Sequence, residues 1–344
     1  MAWVVRQEDV PQPNANPALR FGLILVPLPG GEPRVVVEWE RRRSVVGPAL
    51  PTPAARRQVS PDGRRFVLAT ESRRIVLVDL ETGSARQLTS DADFQDDSPV
   101  WSPDARAIAF RRSRGGLEAG IWSMGSDGTG LRRIVIGDPA RVDPLTPVYD
   151  WSPDATAICY SEPLNEYRCV NVRDASHAFS DGNVADLAPA DWRTRSPELV
   201  IAVSQRGAGA SNLYATDLRR PGQSSTIASA RAADAEFRSP RWHPTADEFV
   251  YVEVRSSGGA RLGPSLALFV AVLGSAPRAL GTGGVPREPE WSPDGEEVLY
   301  LGGESNTSPV NVAVFAARRT GTALRTVWLP RTASTLVSLA TRRY

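Results

Sequence analysis

Trp291-Ser292-Pro293-Asp294-Gly295 is the stretch that decides the fold, because the chain repeats it. The run returns as Trp101-Ser102-Pro103-Asp104-Ala105 and as Trp151-Ser152-Pro153-Asp154-Ala155. Without its Trp it is Val59-Ser60-Pro61-Asp62-Gly63. A weaker copy is Trp242-His243-Pro244-Thr245-Ala246-Asp247, and a degenerate one runs from Asp191-Trp192 to Ser196-Pro197-Glu198. Anchors at 59, 101, 151, 192, 242 and 291 lie 41 to 50 residues apart. A period of that size marks an array of like units.

Each unit reads as one small sheet. A short apolar run ends at the Trp, Pro presets φ at a turn corner, and Asp bonds the turn backbone. Gly, where present, supplies the left-handed conformation that releases the return strand. Strand-forming runs follow, such as Arg65–Thr70, Ala107–Phe110 and Glu297–Leu301. In the first unit a third run, Ile75–Leu80, passes through Glu81-Thr82-Gly83 into a fourth, Ala85–Thr89. Four short antiparallel strands per unit make a blade of a β-propeller, with the Trp filling the space between blades.

On these residues the chain resembles the TolB-type propeller family, whose WD-like repeat joins Trp-Ser-Pro-Asp-Gly to a strand ending Asp-Leu-x-x-Gly and then Leu-Thr. Three copies carry the first four letters, and Asp79-Leu80-Glu81-Thr82-Gly83 with Leu88-Thr89 carries most of the rest. The resemblance spans about residues 55–330. It implies an all-β propeller. Function stays open, because that family holds periplasmic adaptors, peptidase-associated propellers and lyases.

A radial repeat needs no single central core, so one domain can use all 344 residues. Residues 1–19 read as an N-terminal arm. Residues 20–40 read as a hairpin that closes the ring together with 334–341, and 55–330 hold six repeats. Joining the two ends removes two open sheet edges. This count favours seven blades, with six as the alternative. Residues 41–57, carrying Arg41-Arg42-Arg43, read as a linker with a solvated turn.

The net charge is +1, every basic residue is Arg, and no stretch reaches the ~20 apolar residues of a membrane helix. The N-terminus lacks the apolar core of a signal peptide. The expectation is a bacterial, cytoplasmic chain that binds no nucleic acid and inserts in no membrane.

Chemistry is scarce. The only two His, His177 and His243, show no metal-ligand spacing. His177 reads as a loop surface residue, and His243 as a turn residue in the Ser position. No Gly-x-Ser-x-Gly elbow is present. Cys159 and Cys169 fall on neighbouring strands of one blade; buried free thiols are the first reading and a disulfide the second. What remains is the mouth of the channel, just before the anchors: Asp96, Asp97, Tyr149, Asp150, Asp191, Arg241, Glu288 and Glu290. Converging carboxylates suit a basic peptide, a cationic ligand or Ca²⁺; solvated acids that merely cap turns are the plain alternative. The structural anchors of the repeat are Pro61, Asp62, Trp101, Pro103, Asp104, Trp151, Pro153, Asp154, Trp192, Trp242, Pro244, Trp291, Pro293 and Asp294. The expected role is a non-catalytic platform for protein partners. The alternative is a small-substrate hydrolase or lyase with a carboxylate-lined pocket.

Overall fold

The computed structural model describes residues 1–10, 18–28, 31–42, 55–114, 118–136, 149–162, 166–181, 191–193, 198–204, 211–217, 224–229, 235–255, 265–272, 274–303, 312–330 and 335–341. It is an all-β propeller of six four-stranded sheets and one three-stranded sheet. Blade 2 shows the plan, with antiparallel strands Gln95–Trp101, Ala107–Arg114, Glu118–Gly125 and Arg132–Ile136. The innermost strands of blades 3 to 6 are Tyr149–Trp151, Asp191–Trp192, Ala235–Trp242 and Val285–Trp291, each ending at its anchor.

The anchor turn explains why the repeat is written as it is. In blades 1, 2, 3 and 6 the Ser hydroxyl donates to the Asp Oδ1 two residues on, at 2.5–2.6 Å. The same Asp oxygen accepts the N–H two residues further, at 3.1 Å. The residue between them has positive φ: Gly63 at 69°, Ala105 at 58°, Ala155 at 57° and Gly295 at 74°. The Ser oxygen then accepts the first N–H of the returning strand at 2.8–2.9 Å. The Trp that precedes the turn is buried, and its indole ties blades together. Trp101 donates to the Gln58 carbonyl at 3.0 Å, Trp151 to Val100 at 3.4 Å and Trp291 to Arg241 at 3.0 Å. Each acceptor immediately precedes the anchor of the blade before.

The ring closes by sharing a blade between the two ends of the chain. Its order is Thr335–Thr341, Ala2–Val10, Ala18–Val26, Arg34–Arg42. Residues 2–10 are therefore a strand and not part of an arm, while 11–17 lie outside the described residues. The period-two alternation of Ala2-Trp3-Val4-Val5 serves both neighbours. Ala2 and Val4 pack with Leu299, Leu301 and Val314 of blade 6, and Trp3 and Val5 with Phe66, Leu68 and Val78 of blade 1. The sixth repeat supplies its own outer strands, Ala313–Arg318 and Leu324–Trp328, so the closing blade is additional to the six repeats.

Blade 1 is the three-stranded sheet: Arg65–Ala69, Ile75–Asp79 and Ala85–Gln87. Its innermost position holds a single bridge, Val59 to Phe66. The residues before it form a helical turn, α1 (Ala55–Gln58), in place of an inner strand. A four-residue helix has too few hydrogen bonds to persist alone, so contacts with its surroundings must hold α1.

Cys159 and Cys169 face each other across two antiparallel strands of blade 3, both fully buried, and form a disulfide. The first reading, buried free thiols, is corrected. Direct cross-strand pairing places the two Cβ atoms within bonding reach. His177 opens the strand His177–Asp181 and does not lie in a loop; its side chain is outside what is described.

Candidate functional site at the ring axis

The expected mouth residues separate into two groups. Asp96 and Asp97 belong to the packing of blades 1 and 2. Arg112 donates from Nε and Nη2 to the two Asp96 oxygens, at 2.7 and 2.8 Å, and lies against Phe94, Phe110 and Trp122 at 4.9–5.5 Å. Arg73 of blade 1 reaches Asp97 at 3.2 Å, and Ser98 donates to it at 3.0 Å. Burial raises the Asp97 pKa, against the opposing charges of Arg111 and Arg73. A charged pair enclosed by aromatic faces is a structural fastener.

The second group meets at the axis. Asp191 and Glu290, from blades 4 and 6, are buried at 0% and 2% exposure. The guanidinium of Arg56 on α1 lies between them, bonded to Asp191 and 3.2 Å from Glu290. Arg241 donates to the same Glu290 oxygen at 3.0 Å and approaches Glu288 at 3.8 Å. The result is an alternating row: Asp191, Arg56, Glu290, Arg241, Glu288. The other Asp191 oxygen accepts the Trp242 N–H at 2.7 Å. Beside the row, Arg57 lies 3.6 Å from Asp150, whose other oxygen accepts the Trp151 N–H at 2.9 Å. The Tyr149 side chain is outside the described residues.

Local backbone geometry places these charges. The inner strands of blades 5 and 6 are bulged between Arg238 and Arg241 and between Arg287 and Glu290, with Ser239 at φ 49° and Glu288 at φ 46°. Such bulges break the pleat alternation and re-aim the residue just before the anchor. Burial pulls the Arg56 pKa down, but Asp191, Glu290 and Asp150 outweigh it, so the net direction is up. For Arg241 the balance reverses: burial and the neighbouring Arg56 lower it. The sequence alone shows the carboxylates and Arg241. Arg56 and Arg57 escape it because they stand in the apparent linker, and the only available signal is that they precede an anchor by three and two residues.

A cavity of about 360 Å³ opens beside this row, at the end of the axis where the anchor turns lie. Trp3, Trp101, Trp151 and Trp192 wall it, Pro61, Pro103 and Pro153 of three successive anchor turns form its rim, and Arg56, Arg57 and Asp150 supply charge. Among the described residues no three His, Cys, Asp or Glu side chains converge to hold a metal ion, and no helix is long and apolar enough to cross a membrane.

No family model matches the chain, and no curated protein sequence matches it. Solved structures do. Oligogalacturonate lyase from Vibrio parahaemolyticus aligns over 97% of this chain and 87% of its own, at 13% identity and a TM-score of 0.60. TolB from Acinetobacter baumannii aligns over 98% and 83%, at 16% identity and 0.51. A prolyl endopeptidase aligns over 81% of this chain and 42% of its own, at 14% identity and 0.54. The chain is thus structurally similar to TolB-like and other β-propellers. At these identities the likeness is one of fold, shared by lyase, peptidase and TolB alike.

Proposed function

We propose that this chain is a non-catalytic binding platform, TolB-like in fold, that receives an extended apolar segment of a protein partner in the axial cavity. The observation that carries this reading is the lining of four indoles and three prolines, contributed by the closing blade (Trp3) and by the first four repeats. Rigid aromatic and proline surfaces bury apolar area at little cost in side-chain entropy, which suits them to anchor a partner. The alternative, a carboxylate-lined enzyme pocket, has less support. Asp191 and Glu290 are engaged by arginines, and Asp150 is the one carboxylate among the residues lining the cavity. The net charge of +1 favours a protein over a nucleic acid as partner.

The test is affinity capture from the native host with the tagged full chain, beside Pro103→Arg and Pro153→Arg, each checked for folding by circular dichroism. A stoichiometric partner held by the wild type and lost from both rim variants supports the reading. A partner held equally by all three, or none at all, counts against it.

A further inference from the structure

The axis already contains a ligand supplied by the chain itself. We propose that Asp191 and Glu290 form a guanidinium-binding site that Arg56 fills from within, and that an arginine carried by the partner's otherwise apolar segment competes for it through the adjoining cavity. The inference rests on the binding role given to that cavity above, and it names both the partner's chemistry and a means of regulation.

Four observations converge. Asp191 and Glu290 are almost wholly buried and come from different blades, so they form a fixed pair of acceptors. Arg56 contacts both carboxylates, and the Glu290 oxygen it approaches is shared with Arg241, so removing the Arg56 guanidinium takes one positive charge from a buried acidic pair. Two carboxylates approached from two sides suit a planar guanidinium fork better than the point charge of an ammonium. Arg56 also lines the cavity and keeps 17% of its side chain exposed, so a competitor can reach the position it holds.

The experiment uses the full chain, with Nα-acetyl-argininamide as probe and its neutral isostere Nα-acetyl-citrullinamide as control. Melting temperature and tryptophan emission are read for wild type, Arg56→Ala and Arg56→Ala/Asp191→Asn. The argininamide should stabilise Arg56→Ala and bind it at least about tenfold more tightly than wild type. The citrulline compound should do neither, and the second substitution should remove the response. A folded Arg56→Ala that responds equally to both compounds overturns the proposal. Where Arg56→Ala does not fold, Arg56→Lys carries the same comparison, and the same indifference there overturns it. Pro103→Arg separates the two claims. If partner capture survives Pro103→Arg while Arg56→Ala still takes the probe, the cavity reading fails and the internal ligand stands; the converse result fails the internal ligand alone.

Discussion

Arg56 meets Asp191 across 135 residues of sequence. The contact joins the helical turn that replaces blade 1's inner strand to the inner strand of blade 4. Adjacent blades are held by apolar layers and indole–carbonyl bonds, whereas this ion pair reaches across the axis. Each charge in the row is flanked by opposite charges, which is the condition under which buried ions are tolerated. A ring built of like units is thereby fastened at its centre by one unlike unit.

The anchor turn predicts opposite signs for opposite substitutions. Ala105 and Ala155 hold φ of 58° and 57°, which an L side chain adopts at a cost. Ala105→Gly should therefore raise stability by up to about 1 kcal/mol. At the equivalent Gly295, a Cβ would lie 2.1 Å from His243 Nε2. Gly295→Ala should destabilise by more than about 1 kcal/mol. Urea denaturation of both variants decides the matter.

His243 predicts a pH dependence. Its Nδ1 accepts the N–H groups of Thr245 and Ala246 at 3.1 and 2.9 Å, so Nε2 carries the proton and donates to the Gly295 carbonyl at 3.0 Å. Burial lowers its pKa below the usual 6.5, against the Gly295 contact that raises it. The unfolded chain thus takes up a proton at higher pH than the folded one. The stabilising contribution is complete above the unfolded value and is lost as pH falls through it towards the folded pKa. Melting temperatures at about pH 7.5 and about pH 5.5 should fall further for wild type than for His243→Gln.

The indole bonds between blades are also testable. Trp151→Phe keeps the buried ring but leaves the Val100 carbonyl without its donor. The expected cost is about 1–3 kcal/mol, read as a lower urea midpoint at unchanged slope. A loss below about 0.5 kcal/mol would mean that the Trp acts by volume alone.

The Cys159–Cys169 disulfide bears on where the protein works. Alkylation during lysis of the native host, followed by mass spectrometry, should find both cysteines closed to the reagent until reduction. Disulfides persist in oxidising compartments, so that result would argue against the cytoplasmic placement expected from the N-terminus. Two alkylated thiols would favour it.

Much of the fold was legible because the signal recurs. Trp101, Pro103 and Asp104 mean little alone, but at a period of 41 to 50 residues they fix blade, turn and inter-blade contact together. Ala2–Val10 was missed as a strand because Arg6, Gln7, Glu8 and Asp9 hide its alternation, and its pairing partners lie at both ends of the chain. The axis was half legible. The residue before each anchor can be read as inward, so Asp150, Asp191, Arg241 and Glu290 stand out. Their charge partners cannot be read, because Arg56 and Arg57 arrive from a blade that lacks its inner strand. Asp96 and Asp97 stand five and four residues ahead of Trp101 and read as part of the strand entry, but arginines of blades 1 and 2 draw them into the packing there.

The most direct test of the central claim is a double-mutant cycle between Arg56 and Asp191, with Arg56→Ala, Asp191→Asn and the pair measured by urea denaturation. The structure predicts a coupling of about 1 kcal/mol or more, because the two charges meet in a buried contact that either single change breaks. Additive effects, with coupling below about 0.5 kcal/mol, would contradict an axis fastened by this pair.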